Sequence, residues 1–299
     1  MNALTSLPVG RWPEAMERGR LADAAFAAAY ARTPDRQRAW IKTSLAAIYA
    51  AMGGPLPTSR QCCDALSHDL LLAAQEAPLD YVLVVCGRDF LSPARLSAVV
   101  TAALCARVPD VAAVRVGAAW PKPLLTTLEL CGVETAARIA RRDVAGLLAE
   151  LAAKGRGAVV VLGDLPLPAG GAPNLDVRRA AVAGKAGVFG PGFDPEALVF
   201  AHPDGTFFCH DGPCPELPGW RPGQGSLSEA DLTGYDALYL ATSDALALTA
   251  DVPLCLGPGR EGFWWWPHLT PEAFRRRRFA AVVDPDRAAD DPTPSPEDA

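Results

Sequence analysis

The chain of 299 residues is long enough to bury one large hydrophobic core or two ordinary ones. Half of its residues are hydrophobic, which excludes global disorder, and its formal net charge of −6 argues against nucleic acid as a partner. No window of about 18 apolar residues lacks charge, and no apolar signal segment opens the chain. The sequence therefore predicts a cytoplasmic protein without a membrane span.

The first 75 residues are predicted to form an N-terminal helical segment. Residues 21–31 are rich in alanine, and the Thr-Pro sequence at 33–34 starts a second helix that a Gly-Gly-Pro turn at 53–55 ends. A third helix is predicted to begin near the Thr-Ser sequence at 58–59 and to carry Cys63, Leu66 and Leu70.

Between residues 76 and 165, short apolar strands alternate with capped helices. The strands are predicted at residues 81–86, 111–116, 135–139 and 158–162, and the helices between them begin at Pro93, Pro123 and Asp143. Strands of about five residues between helices of about ten are typical of a parallel sheet. The sequence therefore predicts an α/β fold, with a Rossmann-like, mostly parallel sheet and crossover helices behind the N-terminal helical segment.

Residues 174–283 are predicted to form a second α/β lobe packed on the first, after a boundary loop at 166–173 that is rich in proline and glycine. Strands at 197–201 and 206–210 flank a Pro-Asp-Gly turn, which predicts a hairpin. A short helix at 227–235 and a strand at 237–241 follow. The final residues, 284–299, are predicted to be a disordered tail.

Polar residues follow the strands of the first predicted sheet, on the rim where open parallel sheets bind ligands. These ligand-binding candidates are Gly87, Arg88, Asp89, Arg141, Asp143 and Asp164. The arginines there would suit a small anionic molecule or nucleotide through charge-assisted hydrogen bonds. In the alternative interpretation, the arginines and aspartates pair as solvated surface ions of little energetic value.

One group of residues resembles a zinc ligand set: His202, Cys209, His210 and Cys214. Cys209 and His210 lie on a predicted strand, where neighbours point to opposite faces, so the two cannot easily bind one metal. Zinc is therefore the lesser interpretation of this segment, and no metal is expected. Cys86 is interpreted as a small buried residue rather than as a nucleophile with His68 as its base.

Two further segments allow more than one interpretation. Three consecutive tryptophans, Trp264–Trp266, form either a strand packed between the sheet and the N-terminal helices or a surface for a planar ligand or partner. On a strand, Trp264 and Trp266 would share one face. The basic run at 275–278 is interpreted as a solvated helix face rather than an anion patch.

Over residues 80–202 the order of motifs is similar to that of one family. A strand, a glycine turn and a helix start lie at 84–97, a helix ending in Cys-Gly-Val lies at 123–133, and a Gly-Pro-Gly segment followed by an apolar run lies at 187–201. This order resembles a shortened histidinol dehydrogenase, of the aldehyde-dehydrogenase-like α/β proteins. The resemblance implies a Rossmann-like fold and an NAD site.

The departures from that family limit which functions the resemblance implies. Ala-Arg-Arg-Asp at 140–143 replaces the cofactor turn Gly-Gly-Ala-Gln, and Leu-Gly-Asp-Leu-Pro at 162–166 replaces Gly-Pro-Gly-Asn. The sequence has no Glu-His dipeptide, and no Gln-x-x-His segment follows residue 201, so the family's acid/base pair and zinc ligands have no counterpart. We therefore expect no oxidation of histidinol.

Three functions remain open from the sequence. The preferred one is a relative without the family's catalytic and zinc residues that acts as a small-molecule-binding or interaction module. The alternatives are an NAD(P)-dependent oxidoreductase or other enzyme of altered chemistry in the same cleft, and a metal-binding protein that uses residues 202–214. No cofactor is predicted, NAD remains compatible with the sequence, and a homo-oligomer is left open.

Overall fold

The computed structural model describes residues 12–66, 70–167, 172–247 and 251–283. Three helices open this part of the chain: α1 (Glu14–Arg18), α2 (Asp23–Arg32) and α3 (Asp35–Ala51). Pro34 precedes α3, and Gly53 and Gly54 end it with positive φ angles of 72° and 76°. The first two predicted helices are confirmed, because their start and stop signals are local.

The predicted third helix is wrong. Its residues form two antiparallel strands, β1 (Arg60–Ala65) and β2 (Leu70–Pro78). The spacing of Cys63, Leu66 and Leu70 fits one face of a helix, and pairing with another part of the chain overrides this local pattern.

The first parallel sheet confirms the predicted α/β fold. It contains the strands β3 (Tyr81–Cys86), β4 (Asp110–Val116), β5 (Thr135–Ile139), β6 (Gly157–Leu162) and β7 (Leu175–Ala180), and the helices between them are α4 (Pro93–Cys105), α5 (Lys122–Cys131) and α6 (Val144–Lys154). The strand order is β5-β4-β3-β6-β7, and every pair is parallel. All residues of β3 and β6 and the last five of β4 are buried, because these three are the inner strands of a sheet covered on both faces.

A second parallel sheet repeats this order. It contains β8 (Lys185–Val188), β9 (Thr206–Cys209), β10 (Trp220–Pro222), β11 (Ala237–Tyr239) and β12 (Cys255–Leu256), with the helices α7 (Pro195–Ala201) and α8 (Thr242–Ala247). The strands lie in the order β10-β9-β8-β11-β12 and are parallel. In each sheet the first strand in chain order is central, the next two lie on one side of it, and the last two lie on the other side.

Part of the second lobe differs from its prediction. Residues 197–201 belong to helix α7, because the Asp194 carboxylate accepts hydrogen bonds from the N–H groups of Glu196 and Ala197 and Pro195 follows it. The predicted hairpin is therefore wrong: the turn at 203–205 joins a helix to β9, which pairs in parallel with β8. The predicted helix at 227–235 is also wrong, since these residues form turns.

The last described strand, β13 (Arg275–Val283), pairs with β2 and completes a three-stranded antiparallel sheet in the order β1-β2-β13. The basic run at its start is therefore on a strand, and the predicted helix face is wrong. Several exposed apolar side chains lie on this sheet or directly after β1: Leu66, Leu70, Phe279, Val282 and Val283. The predicted tail at 284–299 lies outside the described residues.

The tryptophan segment at 264–266 has no regular secondary structure, so the predicted strand is wrong. Trp264 and Trp266 are nevertheless both buried, with ring centroids 5.6 Å apart, and the Trp266 indole donates to the Arg95 carbonyl at 3.2 Å. In the described parts of the chain, no helix is long and apolar enough to cross a membrane.

Candidate functional site

A cleft of about 390 Å³ opens beyond the carboxyl ends of β6 and β7. It borders the gap between β3 and β6, where the strand order of the sheet reverses and where ligands bind in open α/β sheets. Its charged lining residues are Asp89, Arg95, Asp164, Arg179 and Asp204. Three carboxylates against two guanidinium groups leave the cleft with an excess of negative charge.

The Asp89 carboxylate lies in the gap between the ends of β3 and β6. A Cβ atom on Gly87 would lie 2.7 Å from Asp89 Oδ1, and one on Gly163 would lie 2.8 Å from the same oxygen. Gly163 also has a φ angle of 86°, which favours glycine. The N–H of Asp164 donates to Asp89 Oδ2 at 2.8 Å. Because Gly87 and Gly163 have no Cβ atoms, the Asp89 carboxylate fits between the strand ends.

A second carboxylate, that of Asp204, lies at the start of α4. It forms an ion pair with the Arg95 guanidinium and accepts a hydrogen bond from the Leu91 N–H at 3.4 Å. A helix N-terminus favours a negative group because its first N–H groups have no partner within the helix. Asp204 follows α7, so this ion pair joins α4 to the turn between α7 and β9 beside the cleft.

Arg115 on β4 holds the loop that carries Asp89. Its guanidinium is buried and donates to the carbonyl oxygens of Phe90 and Arg88. Burial lowers the pKa of Arg115 from its ordinary value, although the neighbouring Cys86 and Asp89 partly oppose this effect. Arg115 is not among the residues predicted from the sequence, where its one signal is a charged side chain within an apolar strand.

The structure brings together some of the predicted rim residues and separates others. Gly87, Asp89 and Asp164 meet at the gap described above, whereas Arg88 contributes its carbonyl to Arg115 and has an exposed side chain. Arg141 and Asp143 lie in a single 3₁₀ turn after β5, and neither lines the cleft. The Arg142 guanidinium lies 3.9 Å from the Asp143 carboxylate. This is the kind of surface ion pair that the alternative interpretation predicts for Asp143.

The four candidate zinc ligands lie in different surroundings. His210 stacks on Phe189 and lies within hydrogen-bonding distance of the Gln224 carbonyl, whereas Cys209 Sγ contacts the Asp211 carbonyl at 3.5 Å. Cys214 is half-buried, and His202 is buried beside α4. Among the described residues, no group of three side chains is arranged to hold a metal ion.

Cys86 is fully buried at the end of β3, and its proposed base, His68, lies outside the described residues. Burial raises the pKa of Cys86 to about 12, with a smaller opposing effect of Arg115. At pH 8 only about one in ten thousand Cys86 side chains is then a thiolate, which is the reactive form.

We expect iodoacetamide to alkylate the exposed Cys63 at pH 8 and to leave Cys86 unmodified in the folded protein. Peptide mass spectrometry after a short exposure measures both sites in one sample. The denatured protein is the control, since there the two cysteines should react at similar rates. Early modification of Cys86 would show that its thiol is accessible and activated.

His202 lies at the end of α7, close to the Ser92 hydroxyl and the Trp264 ring. Burial and the nearby Arg95 guanidinium hold the pKa of His202 well below its usual range, although the Glu261 carbonyl acts in the opposite direction. The folded protein therefore keeps this imidazole neutral, while the unfolded chain protonates it near pH 6.5.

This difference predicts a pH dependence of stability. As the pH falls below about 6.5 the unfolded state binds a proton that the folded state does not, so the free energy of unfolding decreases by about 1.4 kcal/mol between pH 7.5 and pH 5.5. Urea unfolding at the two pH values measures this change. His202→Gln should remove that part of the pH dependence, and a variant of the exposed His268, His268→Gln, should retain it. Equal pH dependence in all three proteins would contradict the assignment.

No protein-family model matches the chain, and no curated protein matches it in sequence. Among solved structures, the histidinol dehydrogenase of Elizabethkingia anophelis is similar over 89% of this chain and 77% of its own, with a TM-score of 0.57 and 12% identity. The chain has the histidinol dehydrogenase fold. At this identity the likeness concerns the fold alone, and at that level the predicted resemblance is confirmed.

A succinate-semialdehyde dehydrogenase from Burkholderia pseudomallei is also similar, with a TM-score of 0.40, 10% identity and 88% of each chain covered. A putative aldehyde dehydrogenase from Burkholderia cenocepacia has a TM-score of 0.44 and 12% identity, again over 88% of each chain.

Proposed function

We propose that this protein binds a small polar molecule carrying an ammonium group in the cleft beyond β6 and β7, on a histidinol dehydrogenase fold that has lost histidinol oxidation. The observation that carries the proposal is the group of three carboxylates, Asp89, Asp164 and Asp204, around one opening. A volume of about 390 Å³ is within the range of small-molecule sites.

The charges of the cleft favour a cationic group. Asp204 is already paired with Arg95, and Arg179 donates to the Leu165 carbonyl at 2.8 Å. Asp89 and Asp164 are exposed at the strand ends, and both line the cleft. An ammonium group between them would gain charge-assisted hydrogen bonds and reduce the repulsion between the two carboxylates.

The same arrangement disfavours a pyrophosphate. In parallel sheets that bind dinucleotides, glycines at the first strand end let the backbone approach the phosphates, and a helix N-terminus faces them. Here the Asp89 carboxylate lies between the strand-end glycines, and the Asp204 carboxylate lies at the start of α4. Two fixed negative charges would repel a phosphate from both positions.

Calorimetric titration with propylamine tests the proposal, with propionate and inorganic phosphate as anionic comparisons. We expect propylamine to bind and the two anions not to bind. Asp164→Asn should weaken propylamine binding about tenfold, because one charge-assisted hydrogen bond is lost. The matched control is Asp143→Asn, which changes an aspartate that also follows a strand but lies outside the cleft. Equal affinity in the two variants would place the binding elsewhere.

Loss of oxidation is tested separately, by incubating the protein with histidinol, NAD and zinc while the absorbance of reduced cofactor is followed. The sequence contains no Glu-His pair to act as acid and base, so we expect no reduction of NAD. Turnover on the order of one per second would establish the oxidoreductase alternative instead.

A further inference from the structure

Two cysteines, Cys209 and Cys214, lie at the two ends of one loop in the second lobe. Cys209 is the last residue of β9, and the loop to Cys214 follows it directly. Residues of this loop line a cleft of about 300 Å³ beyond the carboxyl ends of β8 and β9, together with the segment at 190–193 that follows β8. A covalent change in the loop would therefore alter a wall of this cleft.

The loop curls around the Cys209 thiol. The Cys209 Sγ atom lies 3.5 Å from the carbonyl oxygen of Asp211, 3.9 Å from that of Gly212 and 3.8 Å from that of Pro213. The φ angle of Gly212 is 88°, which favours glycine and permits so tight a turn. Because the Pro213 carbonyl carbon is bonded to the Cys214 nitrogen, the Cys209 sulfur lies beside the backbone of Cys214.

The two thiols also interact electrostatically. Burial raises the pKa of Cys209, and the Cys214 thiolate raises it further, by more than the Asp211 carboxylate does, while a hydrogen bond to the Asp211 backbone acts in the opposite direction. A negative group has this effect only when it lies close by. The curled loop thus brings the two cysteines together, which is the approach that a disulfide requires.

The two cysteines differ in how well a molecule in solution can reach them. Cys209 is only 9% exposed, whereas Cys214 is half-buried. Burial and a raised pKa make Cys209 a poor nucleophile toward an external reagent. Cys214 is therefore the thiol that an oxidant reaches first, and Cys209 is the second thiol beside it. An accessible cysteine next to a resolving cysteine is typical of redox-sensitive sites.

We propose that Cys209 and Cys214 are a redox-sensitive pair, which a low-molecular-weight disulfide such as oxidised glutathione converts into an intramolecular disulfide. The Cys214 thiolate attacks one sulfur of the oxidant, forms a mixed disulfide and releases one glutathione thiolate. Cys209 then loses its proton to water and attacks the Cys214 sulfur, which releases the second glutathione thiolate. Two protein thiols are thereby oxidised, and one glutathione disulfide is reduced to two thiols. The new bond closes residues 209–214 into a ring and fixes the loop that lines the cleft.

Treatment of the folded protein with oxidised glutathione at pH 8 tests the proposal. Remaining thiols are then blocked with N-ethylmaleimide in denaturant, disulfides are reduced, and the released thiols are labelled with iodoacetamide, so that peptide mass spectrometry identifies the oxidised cysteines. We expect Cys209 and Cys214 to be oxidised to the same extent, and about tenfold more than the buried Cys105 of α4. An unreduced sample should contain no glutathione on either residue of the pair.

Two variants show whether the cysteines react with each other. Cys214→Ser should lower the oxidation of Cys209 about tenfold, and Cys209→Ala should leave Cys214 with glutathione bound, because the second step is then impossible. The matched control Cys255→Ser, which changes a half-buried cysteine of β12, should keep the wild-type result.

Three results would overturn the proposal. In the first, both cysteines of the wild-type protein stay reduced. In the second, Cys214 retains glutathione while Cys209 stays reduced, which would show that the two sulfur atoms do not meet. In the third, Cys209 is oxidised equally well in Cys214→Ser, which would give it another partner.

Discussion

Replacing Asp204 by asparagine is expected to lower the free energy of unfolding by about 3 kcal/mol. The partner guanidinium, that of Arg95, has a side chain only 7% exposed, so the variant leaves a buried charge without a counter-ion. The ion pair also connects the start of α4 to the turn after α7, and its loss should weaken the contact between these two elements. Urea unfolding at pH 7 measures the change.

The matched control is Asp35→Asn, in the pair that Asp35 forms with Arg38. The Asp35 side chain is 92% exposed, and an exposed pair of this kind contributes less than about 1 kcal/mol. The double variant Arg95→Met with Asp204→Asn should regain part of the loss, because it removes the unpaired charge. Equal losses in Asp204→Asn and Asp35→Asn would show that burial does not strengthen the first pair.

Replacing Arg115 by methionine is expected to destabilise the protein by about 3 kcal/mol, because one buried and one partly buried carbonyl group lose their donor. These carbonyls belong to Arg88 and Phe90, on either side of Asp89, so the loop at the cleft should become more mobile as well. Urea unfolding measures the first effect, and amide hydrogen exchange at residues 88–91 measures the second.

Arg138 provides the control for this variant. It lies directly beside Arg115 in the pairing of β4 with β5, but its side chain is exposed. Arg138→Met should change the free energy of unfolding by less than about 0.5 kcal/mol and leave exchange at the cleft loop unchanged. If Arg115→Met behaves in the same way, the buried guanidinium does not hold the loop.

Local signals in the sequence were sufficient for four of the five strands of the first parallel sheet, all except β7. Ser92 and Pro93 start α4, Gly132 ends α5 with a positive φ, and the apolar strands between such signals are short enough for crossover connections. Each of these effects acts within a few residues of the chain, which is why the four predicted strands and three predicted helices all exist. Asp89 and Asp164 follow the ends of β3 and β6, respectively, and line the cleft.

Contacts between distant segments decided the remainder. The run at 275–278 forms a strand because it pairs with β2, which lies about 200 residues earlier in the chain. A local sequence pattern does not indicate such a distant pairing partner. The cleft likewise needs Asp204 beside Arg95. The meeting of these two residues depends on how α4 and α7 pack together, because ion pairs between distant segments have no periodicity along the chain.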